Sequence, residues 1–220
     1  MSLLRAIIFD LDGLLVDSET ISLKVYQRIL QVYGYKITKE IYAQNYSGRS
    51  TAKNIYSLIN NFDLPLTIEE GISQSLSMEK NLLKKGVSLK AGTLELLKFL
   101  QKNGYRIALA SSSTPERALY ILKINRIDCY FNSFTFGNEV LKSKPNPEIF
   151  IRAQTKLQLP VDACLVLEDS EAGIQAANSA KMSVICIPDM RYPQPRYAKM
   201  TKGIYGSLSD VLTYLKNNDR

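Results

Sequence analysis

The chain has no histidine among its 220 residues. That absence removes histidine general bases, serine–histidine–acid triads and histidine metal ligands together. Any catalysis has to run on Asp, Glu, Lys, Ser, Thr, Tyr or Cys. Cysteine is scarce: Cys129, Cys164 and Cys186 are scattered, and two of them lie inside apolar runs. Such spacing offers neither a disulfide framework nor a thiolate metal site, and it points to free thiols in a reducing, cytoplasmic compartment. No apolar stretch reaches membrane-spanning length, and the N-terminus reads as a strand rather than a signal peptide. Internal repeats and low-complexity segments are also missing. The net charge of +7 permits attraction to anions. Its lysines form no long basic run, which favours solvated helix faces over a nucleic-acid stripe. The expected partner is a small molecule, with no nucleic acid and no membrane, and a monomer is the default state.

What is present begins with Ala6-Ile7-Ile8-Phe9-Asp10-Leu11-Asp12-Gly13. An apolar run climbs into two acids spaced one apart, then a glycine. Residues 4–9 read as a buried strand bounded by a turn at Asp12-Gly13. From Glu19 the period changes: Ile21, Val25, Ile29 and Val32 recur at helical spacing, with Gly34 as a stop. Further helices are expected near 38–46, 51–60 and 67–85, the last with Ile68, Ile72 and Leu76 stepping by four. After Gly92 strands and helices alternate. Strands are expected at 106–110, 133–136, 163–167 and 184–187. Helices are expected at 93–102, from Thr114-Pro115, from Asn146-Pro147-Glu148, at 171–180 and at 208–217. The pattern predicts an α/β fold: a Rossmann-like, doubly wound parallel sheet interrupted by an all-helical insertion. Residues 1–16 and 88–220 are expected to form the core, and 17–87 the insertion.

In doubly wound folds, sites gather outside the carboxyl ends of the strands. Those ends carry Asp10 and Asp12, then Ser111, then Glu168 and Asp169, with Lys144 and Asn146 in a loop that can reach the same edge. Acids converging in a cleft repel one another strongly, and a hard divalent cation relieves this. Mg²⁺ takes oxygen ligands, keeps waters, and binds a few carboxylates plus substrate phosphate. It would keep Asp10 ionised and nucleophilic. Lys144 adds a fixed positive charge, and Ser111, Ser112 and the amides near a helix start add donors for an anion. Together these describe a phosphoryl-transfer site.

Four stretches, "FDLDGLLVDSE", "ALASSS", "SKPNPEIF" and "LEDSEAGIQAA", resemble the ordered motifs of the haloacid dehalogenase superfamily. The resemblance covers essentially the whole chain. It is closest to members with a helical cap after the first motif: sugar-phosphate phosphatases, phosphoglycolate phosphatase-like enzymes and β-phosphoglucomutase. It implies Asp10 as the nucleophile that forms an aspartyl-phosphate, and Asp12 as general acid, then base. It implies Ser111 and Lys144 as holders of the transferring phosphoryl group. Asp10, Asp12 through its carbonyl, Asp169 and Glu168 are the implied Mg²⁺ ligands. Members that cleave carbon–halogen bonds typically lack the second acid, so Asp12 favours phosphoester chemistry. The mutase-like members usually carry a histidine early in the first cap helix, where this chain has Ser22. The expected activity is therefore Mg²⁺-dependent hydrolysis of a small phosphorylated metabolite, a sugar phosphate. A phosphomutase and a catalytically idle phosphate-binding module are the alternatives. Arg49, in a cap loop, is the candidate for a distal substrate group, alongside Ser112 and Asn146. The fourth-motif helix ends at Ala180-Lys181-Met182 where relatives commonly have glycine, and Lys181 there is expected to cost some stability.

Overall fold

The computed structural model describes residues 4–218. In chain order the elements are β1 (Ala6–Phe9), α1 (Ser18–Val32), α2 (Lys39–Asn45), α3 (Thr51–Phe62), α4 (Ile68–Leu83), α5 (Thr93–Lys102), β2 (Arg106–Ser111), α6 (Pro115–Ile124), β3 (Ser133–Phe136), α7 (Glu148–Leu157), β4 (Cys164–Glu168), α8 (Glu171–Ser179), β5 (Ser183–Cys186), α9 (Pro195–Ala198), β6 (Gly203–Ile204) and α10 (Leu208–Asn218). They divide into two compact units. One joins the chain up to Val16 with the chain from Ser88 onward; the other is Asp17–Val87.

The first unit is built on one parallel sheet in the order β3-β2-β1-β4-β5-β6. Both sheet faces are buried, so its strands read as continuous apolar runs rather than alternating ones. On one face Ala6, Ile8, Ala108, Ala110, Cys164, Val166, Val184 and Cys186 form a core with Ile149, Phe150 and Ala153 of α7 and Ile174 and Ala177 of α8. The residues of opposite parity, among them Ile7, Phe9, Ile107, Leu109, Leu165 and Leu167, are equally buried. The small alanines on β1 and β2 let α7 lie close to the strands beside the site. The edge strand β6 is two residues long, too short for an apolar run to announce it.

Register sets the site. Phe9 is level with Leu109 and Leu167, so Asp10, the first residue past β1, follows level with Ala110 in β2 and with Glu168, the last residue of β4. This exit lies between β1 and β4, where the order of strands reverses direction, the usual ligand crevice of such sheets. Helix starts near it are capped by their own side chains. Thr114 accepts from the Arg117 N–H in α6 and Ser170 from the Gly173 N–H in α8. Helix α7 starts at Glu148, with Asn146 Oδ1 accepting from its N–H at 3.1 Å.

The second unit is all helical. Rings of Tyr26, Tyr42 and Tyr46 cluster with centroids 5.9–6.3 Å apart. Tyr42 donates to Glu19 at 2.7 Å, and Asn54 donates to the Tyr46 carbonyl at 2.8 Å. Helix α4 begins with a reciprocal capping box between Thr67 and Glu70. Its inward face, however, departs from the apolar spacing. Ile68 and Leu76 are exposed, and the buried positions are Gly71, Ser75, Leu82 and Leu83. A Cβ at Gly71 would come within 2.6 Å of Ile55 Cγ2. Small residues here admit α3 at short range, and that close approach outweighs the larger apolar stripe. Val32, at the end of the α1 stripe, is likewise exposed.

Candidate active site

The centre of the site is a lysine between two buried acids. Lys144 Nζ donates to Asp10 Oδ1 and to Glu168 Oε1, each at 2.5 Å, and to the Ala110 carbonyl at 3.2 Å. The ammonium also lies 4.9 Å from the centroid of the Phe150 ring. Asp10 and Glu168 are both buried, the latter completely. Burial pushes the Asp10 carboxyl up to about 7, against the pull of Lys144 and with the push of Glu168 and Asp12. Burial works against the charge on Lys144 as well, but Asp10 and Glu168 outweigh it and raise its pKa above the ordinary value. One cation thus serves two carboxylates, and the cluster keeps an excess of negative charge that a further cation would relieve.

Glu168 is held by more than the lysine. Its Oε2 accepts from the Asp169 and Ser170 N–H groups and the Ser170 hydroxyl at 3.0–3.2 Å. Gly173 is the only residue type that fits above it, because a Cβ there would lie 1.9 Å from the Glu168 carboxyl carbon. In this arrangement Glu168 acts on its surroundings by fixing Lys144 and the turn that carries Asp169.

Asp12 faces a different set. Ser113 Oγ donates to Asp12 Oδ2 at 2.7 Å, and Arg117 Nη1 donates to Asp12 Oδ2 at 2.9 Å. Arg117 Nη1 also donates to Ser113 Oγ at 2.6 Å, closing a triangle. Neither partner was evident from the sequence. A single arginine in the first turn of a helix, and the third of three serines, look like solvent-facing residues until the sheet places them.

Gly13 has φ +80° and packs its bare Cα against Asp169; a Cβ would come within 2.4 Å of Asp169 Oδ2 and 3.2 Å of Asp189 Oδ2. Asp189 in turn pairs with Lys90 at 2.6 Å, a second partnership the sequence did not disclose. The donor set around this cradle suits Mg²⁺. Among the described residues no three Cys, Asp or Glu side chains form a ready-made cage. Mg²⁺ needs none, since it takes one or two carboxylates, waters and substrate phosphate. Asp10 and Asp169 stand at the exits of the paired strands β1 and β4.

Ser111 ends β2, buried, with its Oγ accepting from the Ser113 N–H at 3.1 Å. Ser112 is exposed, and its carbonyl lies against Gly137. Asn146 serves the start of α7, as described. Arg49 belongs to the helical unit, where its guanidinium donates to the Asn45 carbonyl at 2.5 Å and to Ser57 Oγ at 3.1 Å. Cys164 and Cys186 are buried and Cys129 is exposed, all three as free thiols. No helix among the described residues is long and apolar enough to cross a membrane.

A doubly wound sheet with acids and a shared lysine at its switch point is a site suited to anion chemistry, and sequence comparison supplies the family. Residues 7–187 match the haloacid dehalogenase-like hydrolase family model, and the chain belongs to that family. It is 32% identical over 209 residues, 92% of this chain and 89% of the relative, to a Drosophila melanogaster protein named "Probable pseudouridine-5'-phosphatase". It is 28% identical over 177 residues, 80% of this chain and 82% of the relative, to the phosphorylated carbohydrates phosphatase of Thermotoga maritima. The crystal structure of β-phosphoglucomutase from Clostridium difficile superposes with a TM-score of 0.80 over 99% of this chain and 97% of that one, at 21% identity, a likeness of fold.

Proposed function

We propose that the protein is a Mg²⁺-dependent phosphatase acting on a small phosphorylated metabolite, a sugar phosphate, in the cytoplasm. The observation that carries this reading is the shared lysine: Lys144 bonded at 2.5 Å to both Asp10 and Glu168, where β1 and β4 leave the sheet. The phosphatase names of the relatives support hydrolysis; the likeness to a mutase is one of fold, and the chain has no histidine for the position that mutase-like members use.

An Asp10 carboxylate oxygen forms a bond to phosphorus as the bond from phosphorus to the substrate's ester oxygen breaks. Asp12 gives its proton to that oxygen, and the alcohol leaves. Asp12, now a carboxylate, takes a proton from water. The water oxygen attacks phosphorus, the bond to Asp10 breaks, and inorganic phosphate departs with both acids restored. Lys144, together with Ser111 and the N–H groups after β2, balances charge on the phosphoryl group. Asp10, Asp169 and the Asp12 carbonyl would hold Mg²⁺, with Glu168 assisting. When bound, the cation supplies the positive charge that lets a carboxylate approach a phosphate dianion.

The test is phosphate release from a panel of phosphorylated metabolites with Mg²⁺, alongside Asp10→Asn. Hydrolysis that requires both Mg²⁺ and Asp10 is expected. Wild-type protein that hydrolyses none of the panel and forms no phosphoenzyme would overturn the reading.

A further inference from the structure

We infer that Arg117 is a positioning residue for the acid–base step: with Ser113 it fixes the Asp12 carboxylate in the orientation from which the leaving oxygen is protonated. The inference rests on the phosphatase reading above and goes beyond it, because neither residue belongs to the acid and lysine set that reading uses.

An aspartate in a tight turn after a strand has two free side-chain torsions. A general acid is effective only within hydrogen-bond reach of the atom it serves. Asp12 is about one-third exposed, 29%, so packing alone does not hold its carboxylate. The triangle does. Ser113 approaches from the turn after β2, and Arg117 from the first turn of α6, at 2.6–2.9 Å on each side. The helix start is itself anchored, since Thr114 caps it through the N–H of Arg117. The Arg117 side chain is 19% exposed, and its guanidinium meets a hydroxyl and a carboxylate at once. A solitary surface ion pair is worth little to stability, ~0–1 kcal/mol. Two donors four residues apart in the capped turn from β2 into α6, bonded to each other, converge on one carboxylate and determine where it points. Asp10 and Asp12 are therefore served by different cations, Lys144 for the nucleophile and Arg117 for the proton carrier.

Leaving-group dependence separates this role from its rivals. The measurement is kcat/KM, which reports steps through leaving-group departure, on phenyl phosphates of similar shape, from 4-nitrophenyl to unsubstituted phenyl. A good leaving group needs little protonation and a poor one needs much. In Arg117→Ala the loss is expected to grow along the series, from about 3-fold on 4-nitrophenyl phosphate to about 30-fold on phenyl phosphate. Ser113→Ala should show the same trend at smaller size, and Arg117→Lys should restore part of it. A loss of equal size on every substrate would mean a binding contact or a general structural effect, and would overturn the inference; so would no loss at all. Thermal melting of each variant checks the fold, and Ser113→Ala and Arg117→Lys carry the test if Arg117→Ala fails to fold. Wild-type protein inactive on every substrate takes down the phosphatase reading and this one with it. Active wild type with a flat pattern of losses takes down this one alone.

Discussion

The two units arrange their buried polar groups differently. In the sheet unit, Asp10 and Lys144 meet across 134 residues, and Lys144 and Glu168 across 24. These charges are brought together only by strand register and a long loop. In the helical unit, Asn54 reaches a carbonyl eight residues away, and Tyr42 reaches the half-buried Glu19 across 23. Its core is tyrosine rings and close helix contacts. The contrast teaches where chemistry can be held. A sheet edge can hold ionised groups of both signs in fixed relation, while the buried hydrogen bonds of the helical unit run from neutral donors, Asn54 and Tyr42.

The largest effects should separate the units by activity. Asp10→Asn should lower phosphate release by about four orders of magnitude or more. Arg49→Ala, in the helical unit, should raise KM while holding kcat within about threefold, if the substrate's distal group meets it. Steady-state kinetics on one substrate reads both.

Stability gives the next contrast. Lys144→Met leaves Asp10 and Glu168 buried without their cation, and should lower unfolding free energy in metal-free buffer by about 3–5 kcal/mol. Tyr42→Phe removes one hydrogen bond to Glu19 and should cost about 1 kcal/mol. Urea unfolding of the two variants beside wild type checks the difference.

The same substitution can then be made in each unit. Gly173→Ala drives a methyl group into the Glu168 carboxyl, which is pinned by four donors, and should cost about 3 kcal/mol. At Gly71 the obstacle is the Ile55 Cγ2 methyl, carried on the Cβ of a buried β-branched side chain with little χ1 freedom in its helix. The gain in helix propensity of about 1 kcal/mol offsets only part of that overpacking, so Gly71→Ala should cost about 1 kcal/mol, less than Gly173→Ala. Equal losses at the two sites would break the contrast. The smallest effect is a gain. Lys181, just past the end of α8, has φ +59°, and Lys181→Gly should raise stability by up to about 1 kcal/mol. Thermal melting reads it.

Much of the fold was legible because both faces of the sheet are covered. Runs such as Cys164–Leu167 are unbroken for that reason, and alternation with helices implies a parallel sheet. The inward face of α4 was not legible. Apolar spacing marked Ile68, Ile72 and Leu76, but the buried positions there are Gly71 and Ser75, whose value lies in being small, followed by Leu82 and Leu83. Arg117 escaped for a related reason. Its charge looks like solvation in a one-dimensional reading, and only β2 and α6 bring it to Asp12. Asp189 and Lys90, 99 residues apart, are the same case.

By itself the sequence determined the kinds of chemistry open to this protein. With no histidine, the reacting groups had to be carboxylates, hydroxyls and amines, and apolar runs ending in acids put those carboxylates at strand ends. Only the tertiary structure decided which group serves which. Lys144 lies between Asp10 and Glu168 because Phe9 and Leu167 pair in register, and Arg117 lies on Asp12 because α6 starts beside the exit of β1. Local residue order sets charge and period. Partnership between charges depends on distances that only the folded sheet imposes.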